Sequence, residues 1–261
     1  MHFIKSLELD ARELRKELID IANSEYGCHL GGSLSVLDLL YASYINFENS
    51  EIILSKGHTC AALYAILYKL NKLNKLKEKP SLSYGKFNSL LTGHPNHLIP
   101  NITFSTGSLG HGLPYGIGVS LSNKLKQKES GENTIIIGGD GELQEGLIWE
   151  TLQVASGQNI ANFIYIIDKN NGQNDGATSS ISPYHNLKSR FSSYGFDVLE
   201  INGHDYKEIL ESFSKKRANH ALVIIANTIK GKGTPSLENN FSSHYVKINE
   251  ATAQKWKEEL I

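Results

Sequence analysis

The chain has 261 residues, room for one large domain or two small ones, and its 40% hydrophobic and 20% charged residues are ordinary for a soluble globular protein. Lys and Arg number 26 against 27 Asp and Glu, a net charge of −1, so nothing in the balance asks for nucleic acid, a membrane surface or a polyanion. No apolar run approaches the ~20 residues that cross a bilayer, and two cysteines (Cys28 and Cys60) outside any paired spacing argue against a disulfide scaffold or zinc module and for a reducing cytoplasm.

The opening MHFIKSLELDARELRK is charged and helical in pattern, so no signal peptide is expected in it. Leu7, Leu14, Leu18, Ile21 and Ala22 recur at helical spacing and predict an amphipathic helix over 6–26, stopped by Gly27. Ser33 is the expected N-cap of a second helix to about Tyr44. A short apolar stretch at Glu51–Leu54 is followed by SKGH and a helix to about Leu70, and the basic run Lys69–Lys79 reads as that helix's solvated end. From Thr134 the period changes. TIIIGG is a continuous apolar run of the kind found in buried parallel strands, then a helical pattern covers 144–157 and a second run, FIYII at 163–167, ends in Asp168. Phe196–Ile201 and Leu222–Ala226 are two further strand candidates, separated by a helical segment near 206–217. The last residues, ATAQKWKEELI, read as a terminal helix and a natural end, with a piece of a longer enzyme as the alternative. Strands alternating with helices predict one α/β domain with a parallel sheet and helices on both faces. Ligands in such sheets sit beyond the carboxyl ends of the strands.

Two polar clusters stand at those ends. Gly138-Gly139-Asp140-Gly141 closes the first buried strand and Asp168-Lys169-Asn170-Asn171-Gly172 the second. If the strands are neighbours, Asp140 and Asn170 enter one crevice. A carboxylate with an amide oxygen is a hard donor set suited to Mg²⁺ or Ca²⁺, and the glycines would let backbone N–H groups approach a diphosphate. Read singly, each cluster is equally a tight turn. Of the 10 histidines, His29, His58, His94, His111, His204 and His244 stand out beside glycine or in polar clusters, and any one alone is as readily structural. The loop Thr106–Gly112 precedes a helix and could cradle phosphate or simply turn. Glu145 and Glu150 stand at a helix start, where carboxylates are favourable by about 0.3–1 kcal/mol without any function.

GDGELQEGLIWE followed by DKNNGQNDGAT resembles the thiamine diphosphate motif of transketolases, and GGSLSVLDLLY, LSKGH, GHP, STGSLGHG, INGHD and TIKGKG match the family in the same order over roughly residues 10–245. The resemblance implies a thiamine diphosphate-binding fold. In it Asp140, Asn170 and the Gly172 carbonyl bind Mg²⁺ (or Ca²⁺ or Mn²⁺), and Gly139, Gly141 and Glu142 lie with them in the cofactor site. Gly107, Ser108 and Leu109 would lie against the thiamine ring system. His29 and His94 would line the channel for the sugar donor, His58 would stand near the reacting carbon, and His244 close to the diphosphate. Glu145, with Glu150, would join a proton-sharing network between two cofactor sites. Three positions depart from the family: Leu30 for proline, His111 for glutamine, and SSHYV where a Trp-His-Gly-like segment is usual. His204 is read as structural.

The resemblance further implies that the pyrimidine-side domain, with its activating glutamate, and the C-terminal domain belong to a partner chain. The expected protein is then the N-terminal subunit of a split transketolase, forming a dimer or heterotetramer that acts on sugar phosphates. The alternatives are a specialised ketose substrate or a non-catalytic scaffold.

Overall fold

A computed structural model describes residues 2–73, 78–126 and 133–260. In chain order its helices and strands are α1 (His2–Ala22), α2 (Leu30–Asn46), β1 (Ile52–Leu54), α3 (Cys60–Lys69), α4 (Pro80–Ser83), α5 (Gly112–Leu125), β2 (Thr134–Gly139), α6 (Gly146–Gly157), β3 (Phe163–Lys169), β4 (Gly172–Gln173), β5 (Gly176–Ala177), α7 (Thr178–Ile181), α8 (Leu187–Ser192), β6 (Asp197–Asn202), α9 (Tyr206–Ser214), β7 (Leu222–Asn227) and α10 (Glu250–Glu259). Five strands form one parallel sheet in the order β1-β2-β3-β7-β6.

The apolar runs of β2, β3 and β7 are continuous because both faces of the sheet are covered. Alternate side chains divide between two cores. Ile135, Ile137, Ile164, Ile166, Leu222 and Ile224 pack with Leu14, Leu18, Leu37 and Ile209 of α1, α2 and α9. Ile136, Phe163, Tyr165, Ile167, Val223 and Ile225 pack with Leu113, Ile117, Ile148, Leu152 and Phe191 of α5, α6 and α8. β6 lies at the sheet edge, and its charged residues Glu200 and Asp197 fit an incompletely covered strand. β2 and β3 are adjacent with Gly139 opposite Asp168, so the two polar clusters leave the sheet side by side at its carboxyl end.

Several boundaries differ from expectation. α1 stops at Ala22, four residues short, because the Ala22 carbonyl accepts the Ile248 amide (3.1 Å) and the chain turns to pair Cys28 with Val246. α2 starts at Leu30 and not after Ser33. His29 is the N-cap residue, and the Ser33 hydroxyl lies inside the first turn, donating to the His29 carbonyl at 2.8 Å. The helix tolerates Gly31 and Gly32 because neighbours press on them: a Cβ on Gly31 would meet Ser243 Oγ at 2.3 Å. α6 begins at Gly146, after a 3₁₀ turn over Gly141–Gln144 that brings Glu142 under the strand end. The helix expected to run to about Leu70 does so, ending at Lys69 with Leu70 as its C-cap residue, and residues 74–77 of the basic run lie outside the described residues.

Candidate active site

The carboxyl ends of β2 and β3 open into a cavity of about 250 Å³. Asp140 and Asn170 line it together with Gly139, Gly141, Gly172, Gly107 and Leu109 from the cofactor set, and with His58 and His244. Asp140 is buried, and it is held by the Gly141 amide (3.0 Å) on Oδ1 and the Asn171 amide (2.7 Å) on Oδ2. Burial, then the neighbouring Asp168, raises its carboxyl to about 6, a conflict that a bound cation would relieve. Asn170 donates from Nδ2 to Ser35 Oγ (3.1 Å), which turns Oδ1 toward the Gly172 amide (3.0 Å) and fixes the oxygen on the side of the glycine loop.

Two lysines complete the lining. Lys56, from LSKGH, is buried and its ammonium meets Asp168 Oδ2 at 2.5 Å. Asp168 also accepts from Ser35 Oγ (2.6 Å) and from Thr228 Oγ1, so this carboxylate is fully engaged beneath the floor. Lys230, from TIKGKG, is 1% exposed, and its Nζ donates to the Gln173 carbonyl at 3.1 Å. Burial, then the charge of Lys56, lowers its ammonium to about 8, against the pull of Asp140 and Asp168. The lining thus combines two amines with the Asp140 and Glu142 carboxylates, and Lys230, which has no carboxylate partner among the described residues, is the amine with charge to offer an anion. Both lysines lie in motifs visible in the sequence, yet neither stands out there, because a lone lysine reads as solvated until tertiary structure buries it.

Four histidines ring the outer side. His29 lies with its ring centroid 5.4 Å from His58, 6.2 Å from His94 and 5.1 Å from His244, and His58 lies 5.3 Å from His244. Side chains from nearly opposite ends of the sequence are thus brought to one place. Burial lowers all four, with His29 and His244 reaching about 4; positive and imidazole neighbours add to the effect for His29, His58 and His244. They are neutral imidazoles at pH 7, able to donate and accept hydrogen bonds. His29 Nδ1 is buried without a partner among the described residues, an unmet bonding capacity within the cluster. Tyr245 meets His29 edge-on at 5.0 Å, so the departure at SSHYV is an aromatic ring against His29.

The remaining candidates are less central. Glu142 lines the floor, but its oxygens already accept from Ser55 Oγ (2.5 Å), the Gly110 amide (2.7 Å) and the Gly139 amide (3.2 Å), so it ties the 107–112 loop to the strand end. Ser108 is exposed and outside the cavity lining, as are Glu145 and Glu150 at the start of α6. His111 is exposed, with Nδ1 3.2 Å from the Leu109 carbonyl.

Residues 38–260 match the family model described as transketolase, thiamine diphosphate binding domain. The chain belongs to the transketolase family. An apulose-4-phosphate transketolase subunit of Phocaeicola vulgatus is 31% identical, over 98% of this chain and 92% of that one. The 6-deoxy-6-sulfo-D-fructose transketolase subunit SqwG of a Clostridium species is 32% identical over 96% and 94%. Among solved structures, Campylobacter jejuni transketolase superposes with a TM-score of 0.78 at 29% identity, covering 99% of this chain and 43% of that one. The transketolase family domain is thus a thiamine diphosphate-binding α/β fold, with the cavity at its strand ends.

Proposed function

We propose that this transketolase-family chain is the N-terminal subunit of a two-chain transketolase. With its C-terminal partner it would transfer a two-carbon ketol unit from a ketose phosphate to an aldose phosphate. The observation that carries the reading is one cavity holding Asp140, Asn170 and two buried lysines, with a ring of four neutral histidines beside it. Asp140 and Asn170 side chains and the Gly172 carbonyl are the donors for Mg²⁺, or Ca²⁺ or Mn²⁺, and Lys56 and Lys230 face the diphosphate. The donor set fits a small hard cation, since Asp140 and Asn170 Oδ1 keep lone pairs beyond the backbone amides they accept.

When bound, thiamine diphosphate supplies a carbon nucleophile and an electron sink. The chain's own residues bind and orient. His29, with its free Nδ1, and His94 take the hydroxyl and carbonyl groups of the sugar. His58 and His244, between them and the cavity, hold or move protons near the reacting carbon. Exposed Glu145 and Glu150 are suited to a network completed across a subunit contact. The pyrimidine-side domain belongs to the partner, and a dimer or heterotetramer places each site between chains.

A second reading concerns the sugar. Relatives of nearly the same length are named for apulose 4-phosphate and for 6-deoxy-6-sulfo-D-fructose, and Tyr245 stands against His29 in this chain. These two facts favour a specialised ketose over xylulose 5-phosphate. Steady-state ketol transfer with the partner present, run on xylulose 5-phosphate, on those two named donors and on unphosphorylated ketoses, separates the readings. Highest kcat/KM on xylulose 5-phosphate supports the first, and on another donor the second. No transfer from any ketose would contradict both.

A further inference from the structure

One motif, INGHD, has no place in the cavity, and its histidine is buried in a polar network beneath it. Asp38 of α2 is 2% exposed. Its Oδ2 accepts from Arg15 Nη2 at 2.5 Å and lies 2.7 Å from His204 Nδ1, and its Oδ1 accepts from the Tyr206 hydroxyl at 3.0 Å. The other ring nitrogen of His204, Nε2, accepts the Ile229 backbone amide at 2.9 Å. A backbone N–H can only donate, so Nε2 is bare and Nδ1 carries the proton given to Asp38. Both ring nitrogens are therefore committed.

Ile229 is the residue before Lys230. The turn is pinned on its far side as well, where the Gly231 amide donates to the Gly31 carbonyl (2.9 Å) and Arg15 Nε to the Lys232 carbonyl (3.3 Å). A buried ion pair is weak evidence for stability, because apolar residues of the same volume do as well. This network instead ends on the amide next to a cavity-lining ammonium.

We propose that His204, oriented by Asp38, is a positioning residue: its Nε2 bond to the Ile229 amide fixes the turn that aims Lys230 into the anion cavity. The proposal rests on the reading of that cavity as the diphosphate site. It makes the Asp38–His204 pair part of ligand binding though neither touches the ligand. Asp38 also joins α1, α2 and the start of α9, so the lysine is referenced to the same helix whose N-terminus carries His29.

The test is calorimetric titration of inorganic pyrophosphate into the full chain, with two variants that mimic one ring nitrogen each. In His204→Gln the amide reaches the Nε2 position and can accept from Ile229. In His204→Asn it stops at the Nδ1 position. Affinity close to wild type is expected for H204Q, and a loss of up to about tenfold for H204N, the upper size of one neutral hydrogen bond's net contribution. In a Lys230→Met background the H204N loss should disappear, since the group being aimed is gone. Equal affinities for H204Q and H204N, or an H204N loss that persists undiminished in K230M, would overturn the proposal. Absence of pyrophosphate binding by wild type would overturn the cavity reading, and this proposal with it.

Discussion

At the residue scale the site is governed by charge that burial makes expensive. His29 is the clearest case. Its imidazole is pushed down to about 4, first by burial and then by His94 and Lys230, whereas an unfolded histidine titrates near ~6.5. Between those values the unfolded chain binds a proton that the folded chain does not, so stability falls as pH falls from about 6.5 to about 4. Asp140 runs the other way, with its carboxyl raised to about 6, so the histidine contribution is read as a difference between proteins. Urea midpoints of wild type and His29→Gln, taken from pH 7 to pH 4.5, should converge or cross as the acid loss disappears from the variant. Parallel curves would place His29 in a solvated environment. Asp140→Asn removes the carboxylate of the proposed cation site. It should lose at least the roughly 10–100-fold in metal affinity that disturbing even an outer-sphere partner costs, read as Mg²⁺-dependent thiamine diphosphate binding. Asp140 and Asn170 are legible in the sequence because strand ends are marked by the close of an apolar run. Lys56 and Lys230 are not, because their burial is made by residues far away in the chain.

Elements position these side chains by close approach of backbones. α2 carries His29 at its start, and the 241–244 turn carries His244; the two meet where Gly31 faces Ser243. Gly31→Ala would put a methyl 2.3 Å from Ser243 Oγ and 2.7 Å from its carbonyl oxygen. Such overpacking costs about 1–3 kcal/mol, so the urea midpoint should drop while the far-UV spectrum stays native, and His244 should move relative to His29. An unchanged midpoint would mean that the two segments are free to separate. The same contact explains one sequence expectation that failed. Gly31-Gly32 looks like a helix breaker, and Ser33 like the cap after it, until the tertiary contact that requires the glycines is known. β2, β3 and β7 are legible because strands covered on both faces are apolar without alternation over their length, with polar residues only at their ends. The β4–β5 ribbon is not, since two strands of two residues carry no periodic signal.

At the scale of the whole molecule the proposed function makes this chain one half of a cofactor site. The chain spans 92% of a relative that is itself named as a transketolase subunit and 43% of the Campylobacter jejuni transketolase it superposes on, proportions that agree with the proposed division. In the proposed division the cavity residues take a diphosphate and cation and the histidines a sugar, while Glu145 and Glu150 stand exposed at the start of α6, outside the cavity lining. Division of the site between two chains is therefore the central claim. It is tested most directly by assaying thiamine diphosphate and Mg²⁺ binding and ketol transfer on the same samples, with and without the C-terminal partner chain. Turnover is expected only when both chains are present, with Asp140→Asn abolishing it. Full ketol transfer by the purified chain alone would contradict the division.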